Sequence, residues 1–247
     1  MVYHASALEA YQMNGVKQKW LSGSIVNEYE VVMPLISSTG SAHSLLQARF
    51  YIRHYENSTY TKTDVIVENT KNFARDIDNI PYDAMIYDST NTLMFSETGV
   101  VHNIYARWKE TIWDGGRIPG TDARLDTTYF LSTKALPNYD RSIPMNPGSV
   151  YTELRMNEFL SGSRVKLMGI GLNTSNYMPT TGGRPEIGIE TAYGAAVAIT
   201  QDSTLKRALL KGADRAGAWP IHVRDTASDG LHMVTRYLYT WFDCRDF

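Results

Sequence analysis

Alternating apolar and polar residues give the clearest structural signal in the first half of the chain. Apolar residues take every second position from Leu46 to Ile52, and a second alternating run covers residues 60–68. A period of two residues is typical of a β-strand with one buried face and one wet face. Because only a short polar link separates the two runs, residues 48–53 and 60–68 are predicted to pair as an antiparallel hairpin.

Further strands are predicted on both sides of this hairpin. Residues 25–33 are rich in β-branched and apolar side chains, and Pro34 is expected to end that strand. Residues 82–88 and 91–96 are predicted to form a second hairpin, and residues 99–113 a single further strand. Several antiparallel strands joined by short turns favour a β-sandwich over a parallel sheet.

Helical spacing is clear only in the second half of the chain. Apolar residues recur at steps of three and four over residues 189–199 and again over residues 205–213. Asp202 or Ser203 is placed to cap the second helix, and Pro220 follows its end. Since the link between the two runs is short, they are predicted to form an antiparallel helical pair.

The two patterns divide the chain into two predicted domains. The predicted fold class is α+β, with an antiparallel β-sandwich over residues 1–120 and a helical region with long loops over residues 121–247. The loop at residues 161–184 is long and polar, and the tail at residues 231–247 is rich in aromatic residues. We expect both to contribute to an interface with another copy or another chain.

Composition narrows the classes of function. The 247 residues carry a formal net charge of -2 without a basic stripe, which argues against nucleic acid as a partner. The single cysteine, Cys244, excludes an internal disulfide, and the six histidines are not spaced as metal ligands. No phosphate-binding loop or dinucleotide fingerprint is present, so neither a metal nor a cofactor is predicted. The lack of a long apolar run leads us to expect neither a secretory leader nor a membrane span.

A polar and aromatic cluster follows the second predicted helix. Trp219, His222, Arg224 and Asp225 lie within seven residues, on a loop. One hypothesis is a sugar site, in which Trp219 stacks on a pyranose ring, Arg224 pairs with an acidic group, and His222 or Asp225 acts as acid or base. The alternative, which we weight above it, is a packed corner where Arg224 pairs with a nearby acid.

A second candidate set lies on or just after the strand predicted at residues 99–113. Trp108 and His102 would share one strand face and Trp113 the other, so the set either lines a glycan-binding face or lies half in the core. No catalytic residue is assigned; Glu186 is expected to favour a helix start rather than catalysis. The predicted carbohydrate-binding residues are Trp108, Trp113, Trp219, His222, Arg224 and Asp225.

Six segments, in order along the chain, resemble a group of poorly characterised bacterial and prophage proteins. They are Leu21-Ser22-Gly23 with Glu28, Val67-Glu68-Asn69-Thr70, Arg107-Trp108 with Trp113, Ala135-Leu136-Pro137-Asn138-Tyr139-Asp140, Gly183-Arg184-Pro185-Glu186-Ile187-Gly188 and Gly217-Ala218-Trp219-Pro220-Ile221-His222. In that group a β-sandwich precedes helical hairpins of an α/α-toroid type, an architecture remotely similar to exo-rhamnogalacturonan lyase-type polysaccharide lyases.

The resemblance implies a partial, toroid-like helical region and a function. Because members of the group have more sequence on both sides, we expect this chain to be a middle piece, either reduced to a new role or completed by another chain. The function implied is a non-enzymatic structural or glycan-binding module of a phage or prophage virion, located in the virion or extracellularly. The alternative is a polysaccharide-processing enzyme, either a lyase or a glycoside hydrolase. Expected partners are further protein chains, as a homo-oligomer or otherwise, and a polysaccharide.

Overall fold

The protein is a sheet-rich α+β fold, mostly antiparallel sheet with a few helices. Its chain forms two compact units, Met1–Pro119 with Gly217–Phe242 and Gly120–Ala216 with Asp243–Phe247. The structure, a computed structural model, describes residues 1–71, 79–115, 124–138, 166–169, 194, 197–198 and 200–232.

The first unit contains a six-stranded antiparallel sheet and a separate two-stranded hairpin. In the larger sheet, β1 and β2 pair with the same edge of β3, and β4, β5 and β8 follow on its other side. The hairpin consists of β6 and β7. The strands are β1 (Tyr3–His4), β2 (Gln18–Ser22), β3 (Val26–Ser37), β4 (Ala42–Tyr55), β5 (Thr61–Glu68), β6 (Asn79–Tyr87), β7 (Leu93–Asn103) and β8 (Arg107–Asp114).

Helix α1 (Ala7–Asn14) lies between the two short strands on the edge of β3. The Ser6 side chain accepts a hydrogen bond from the Glu9 backbone N–H, and Gly15 ends the helix with a left-handed φ of 67°. At the same end Asn14 donates its side-chain N–H to the Val32 carbonyl at 2.9 Å. The helix thereby satisfies a strand carbonyl that neither edge strand reaches.

Both predicted hairpins are confirmed. β4 and β5 pair in register from Gln47 opposite Glu68 to His54 opposite Thr61. β6 and β7 pair over nearly their whole length, with two irregularities. Asn57 adopts a left-handed φ of 58° in the first turn, a conformation that asparagine tolerates better than most residues.

Two predicted strand boundaries are wrong. The strand predicted over 99–113 is two strands, because Tyr105 takes a left-handed φ of 56° and reverses the chain between β7 and β8. Pro34 does not end β3, which continues to Ser37 past an irregularity after Pro34. The carbonyls of Glu30 and Val32 point to the outer edge of β3, and the backbone nitrogen of Pro34, two residues further on, points to the same edge. No edge strand pairs with β3 at Pro34, so the missing N–H costs no hydrogen bond there.

The two faces of the large sheet differ sharply in chemistry. One face is apolar and well buried, and Trp108 from β8 lies on it opposite Val67. The other face carries alternating acids, bases and tyrosines, and its most central members are also buried rather than wet. The buried apolar side chains of the sheet include Val31, Met33, Ala48, Phe50, Val65, Val67, Trp108 and Ile112.

The described part of the second unit includes the helices α2 (Thr127–Ser132) and α3 (Ser203–Asp214), and the described residues Gly194, Val197, Ala198 and Thr200 are also helical. α3 confirms the predicted helix over 205–213, and Asp202 caps it by accepting a hydrogen bond from the Leu205 N–H at 2.9 Å. Leu205 packs with Val197 and Leu209 in a small apolar cluster. The helix predicted over 189–199 falls largely outside the described residues, so a toroid-like pair stays a prediction. Within the described ranges, no helix is long and apolar enough to cross a membrane.

Candidate functional site

The polar side of the large sheet, which we call the charged face, is built by strand register. Residues directly opposite one another on antiparallel strands point to the same side, as do residues two apart on one strand. Gln47, Glu68 and Arg107 therefore form one row across β4, β5 and β8. Arg53 follows Gln47 by six residues on β4 and forms another row with Lys62 and Trp113.

Glu68, the last residue of β5, lies on the charged face and is fully buried. Arg224 binds it in bidentate fashion, with Nε and Nη2 each 3.0 Å from a different carboxylate oxygen. Arg49 Nη2 and Gln47 Nε2 donate to the same carboxylate at 3.3 Å and 2.8 Å. Arg49 also forms an ion pair with Glu30 on β3. One carboxylate on β5 thus joins the sheet to a segment 156 residues later in the chain.

Asp229 is the second carboxylate of this network, and basic side chains surround it. Its oxygens accept hydrogen bonds from Arg49 Nη2 at 2.7 Å and Lys71 Nζ at 2.8 Å, and Lys17 forms a third ion pair with it. Gln47 Nε2 lies 3.4 Å away as a fourth donor. The donors come from three separate segments: the residue before β2, strand β4 and the residues after β5.

A compact turn delivers Asp229 to these donors. The Asp225 carboxylate accepts hydrogen bonds from the Ser228 and Ala227 backbone N–H groups, which closes the turn locally. The Arg224 backbone N–H donates to the Thr70 carbonyl at 2.8 Å and fixes the turn beside β5. We call residues 225–230 the acidic turn.

The electrostatics of this network favour ionised carboxylates. Burial alone would raise the pKa of Glu68, but Arg49 and Arg224 outweigh it and lower that pKa to about 2. Burial and then the nearby Arg49 charge lower the pKa values of both Lys17 and Lys71. Among the described residues, ion pairs of this network join five basic and three acidic side chains, namely Lys17, Arg49, Lys71, Arg107 and Arg224 with Glu30, Glu68 and Asp229.

The structure uses the predicted Trp219–Asp225 cluster mainly for anchoring. Arg224 is buried in its pair with Glu68, and the Asp225 carboxylate caps its own turn. The His222 backbone N–H donates to the Tyr105 carbonyl at 2.8 Å. Trp219 is half-buried. Within the cluster, the Arg224 side chain joins the charged network on the sheet through Glu68.

The two tryptophans of β8 lie on opposite faces of the sheet, because five residues separate them. Trp108 is on the buried apolar face and donates its indole N–H to the Tyr82 hydroxyl at 2.6 Å. Trp113 is half-buried on the charged face, where its ring stacks on Tyr55 with centroids 6.0 Å apart and planes at 19°. Trp113 is therefore the tryptophan of this strand that can offer part of its surface to a ligand.

A buried histidine links the small hairpin to the large sheet. The His102 Nε2–H donates to the Ala106 carbonyl at 3.0 Å, which leaves Nδ1 to accept from the Tyr82 hydroxyl at 2.6 Å. Burial lowers the pKa of His102 to about 4, so the ring is neutral near pH 7. His102 was expected to share a strand face with Trp108, but it lies on β7 and meets Trp108 through Tyr82.

Sequence reasoning missed most of the charged network, although part of its signal was present. Gln47, Arg49 and Glu68 occupy the polar positions of the predicted hairpin, and the hairpin register alone places them side by side. Lys17 and Asp229 carry no such signal, because they reach the network from distant loops. In the described part of the chain, no three His, Cys, Asp or Glu side chains are grouped so that they could hold a metal ion.

Comparison of the chain with protein-family models, with curated proteins and with solved structures finds no match.

Proposed function

We propose that the protein is a non-enzymatic structural or glycan-binding module, of the kind found in phage or prophage tails or decorations. The observation that carries this proposal is the burial of Arg224 in its bidentate pair with Glu68. A catalytic role for Arg224, together with His222 and Asp225, would require these side chains to converge in an open cleft. Arg224 is buried and Asp225 caps a turn, which weighs against the lyase or hydrolase alternative.

The surface best suited to a glycan is the row that holds Trp113. Its indole stacks on Tyr55, and Lys62 lies directly opposite it on β5, with Arg53 opposite Lys62 on β4. Both basic side chains are already paired, Arg53 with Glu28 and Lys62 with Asp64. An aromatic face beside charge-neutral polar pairs offers stacking together with hydrogen-bond donors and acceptors for sugar hydroxyls.

The finer architecture and the partners belong to the same proposal. We infer that the hairpin and the large sheet together represent a β-sandwich, which the Trp108–Tyr82 hydrogen bond supports. A toroid-like helical region, a virion or extracellular location and assembly with further protein chains remain predictions from the sequence resemblance.

Glycan binding by the Trp113 row is tested by affinity electrophoresis in gels that contain neutral or acidic soluble polysaccharides. We expect Trp113→Ala to weaken the binding of a retarding polysaccharide roughly 30-fold, as when an aromatic hot spot worth about 2 kcal/mol is removed. Tyr87→Ala is the control, because Tyr87 is an exposed aromatic residue on β6, in the two-stranded hairpin rather than the large sheet. Retardation that Tyr87→Ala abolishes and Trp113→Ala leaves intact would place the glycan elsewhere.

A further inference from the structure

The Asp229 carboxylate binds a set of cationic donors that all come from other segments of the chain. Lys17, Arg49 and Lys71 surround it from three separate segments, while Asp229 comes from the acidic turn. Both carboxylate oxygens are engaged, one by Lys71 and the other by Lys17 and Arg49. Such an arrangement of cationic donors around two oxygens is chemically suited to a carboxylate from any source.

Solvent reaches two of these three donors. The side chains of Lys17 and Lys71 are 38% and 28% exposed, although both lie against the buried Arg49. In the described part of the chain, basic side chains outnumber acidic ones in this network, so an additional negative charge is favoured there rather than repelled. An acidic ligand can therefore approach from the lysine side without unfolding the sheet.

The Asp229 side chain can leave while the acidic turn stays in place. The Asp229 backbone N–H donates to the Asp225 carbonyl at 2.9 Å, and its carbonyl accepts from Arg224 Nη1 at 2.8 Å. Neither bond involves the carboxylate. Rotation of the Asp229 side chain away from the donors would break only its ion pairs with Lys17, Arg49 and Lys71. A ligand carboxylate in the same position would form those ion pairs again.

We propose that Lys17, Arg49 and Lys71 form a carboxylate-binding site that Asp229 occupies in the free protein and that an acidic ligand, such as a uronic acid, takes over when it binds. This site lies at the opposite end of the charged face from Trp113, and it does not depend on glycan binding there. Asp229 acts as an internal competitor. An external carboxylate binds only those molecules whose Asp229 has left the site, so its apparent affinity falls in proportion to that fraction.

The test is calorimetric titration of the protein with glucuronate, acetate and glucose at fixed ionic strength. We expect the wild type to bind glucuronate weakly and glucose not at all, and Asp229→Asn to bind glucuronate at least about tenfold more tightly because its competitor has lost its charge. Acetate distinguishes a site for any carboxylate from one that also recognises the sugar. A site for any carboxylate binds acetate and glucuronate with equal affinity, whereas a site that also recognises the sugar binds glucuronate more tightly. Either pattern supports the proposal.

Lys71→Gln identifies the site, and Lys19→Gln is its control, because Lys19 lies over the Tyr29 ring on the edge of the sheet instead. We expect Lys71→Gln to weaken glucuronate binding at least about fivefold in the Asp229→Asn background, where no internal carboxylate loses the same ion pair, and Lys19→Gln to leave it unchanged. Absence of binding to the wild type, or equal affinity of the wild type and a folded Asp229→Asn, would overturn the proposal. If Asp229→Asn does not fold, Asp229→Ser takes its place as the variant without the competing carboxylate.

Discussion

Glu68 holds two distant parts of the chain together through one carboxylate. It accepts from Gln47 and Arg49 in the sheet and from Arg224 in the closing segment. A buried pair need not exceed an apolar pair in stability, but removal of one member leaves uncompensated charge. The importance of Glu68 therefore lies in what its loss would leave behind: a buried Arg224 guanidinium that has lost its carboxylate partner, beside an Arg49 that keeps its pairs with Glu30 and Asp229.

Glu68→Gln is expected to lower the free energy of unfolding by about 3–5 kcal/mol, because Arg49 and Arg224 lose their shared counter-charge. Urea denaturation at pH 7 measures the change. Glu56→Gln makes the same chemical change at an exposed acid that accepts one hydrogen bond from Asn27, and about 0.5 kcal/mol or less is expected. Equal losses in the two variants would contradict the role given to Glu68.

His102 makes stability depend on pH. Its folded pKa of about 4 lies below the unfolded value near 6.5, so the unfolded chain binds the proton more tightly. The stabilisation by neutral His102 is complete above pH 6.5 and is lost as the pH falls towards 4. Between pH 7 and pH 5 we expect a loss of about 2 kcal/mol from this residue.

Urea denaturation at several pH values from 7 to 5 tests this expectation. His102→Gln removes the titrating group, so the free energy of unfolding of this variant should change less between pH 7 and pH 5 than that of the wild type. Parallel curves for the two proteins would show that other groups cause the dependence.

How far the charged network was predictable differs from residue to residue. Arg224 was expected either to bind an acidic sugar or to pair with a nearby acid, and it pairs with Glu68. Its partner could not be predicted, because the two residues are separated by 156 positions and only the closing of the 217–232 segment onto the sheet brings them together. Sequence periodicity reports which side of one element is buried, but not which distant charge meets it.

At the scale of elements, strands were predicted better than their ends. The first hairpin has strong period-two alternation and the second consists of two short apolar runs, and the structure contains both hairpins. The break between β7 and β8 was missed because its left-handed residue is Tyr105, rather than the glycine or asparagine that usually marks such a turn. The alternation simply resumes after the break, so pattern alone favours one continuous strand.

The end of β8 depends on a glycine. Gly115 has a φ of +85°, and a Cβ atom built on it would lie 1.9 Å from the Thr59 carbonyl oxygen in the turn between β4 and β5. Gly115→Ala is expected to cost about 2–4 kcal/mol, the left-handed strain plus the forced backbone shift. Gly40→Ala is a matched control, because Gly40 has a φ of +84° with nothing within 4 Å. Thermal unfolding that shows equal losses would contradict the close approach.

At the scale of the whole molecule, the first 25 residues leave a large apolar surface. Among the described strands, β2 pairs only with β3, so its outer edge offers unpaired backbone groups. Trp20 on β2 is 64% exposed, and Leu8, Tyr11 and Ile25 nearby in the chain are also exposed. An exposed apolar surface beside an open strand edge is typical of an interface. The segments at residues 161–184 and 231–247, also predicted to form an interface, lie almost entirely outside the described residues.

We expect the chain to self-associate through this edge, with β2 of two copies paired about a two-fold axis. Light scattering at micromolar concentration should give a dimer or larger species. Trp20→Ser together with Tyr11→Ser should shift it towards monomer, whereas Leu210→Ser, an exposed leucine on α3, should not. A compact wild-type monomer would refute the expectation.

We propose above all that the protein binds a glycan without cleaving it. This is tested by incubating the wild type for a prolonged time with a polysaccharide that it retards in affinity electrophoresis, while the size distribution and the new chain ends of the polysaccharide are followed. We predict an unchanged size distribution and no new unsaturated or reducing ends, with retardation lost in Trp113→Ala. Progressive shortening by the wild type that a folded Arg224→Gln variant abolishes would contradict it, because the buried Arg224–Glu68 pair would then serve catalysis rather than anchoring.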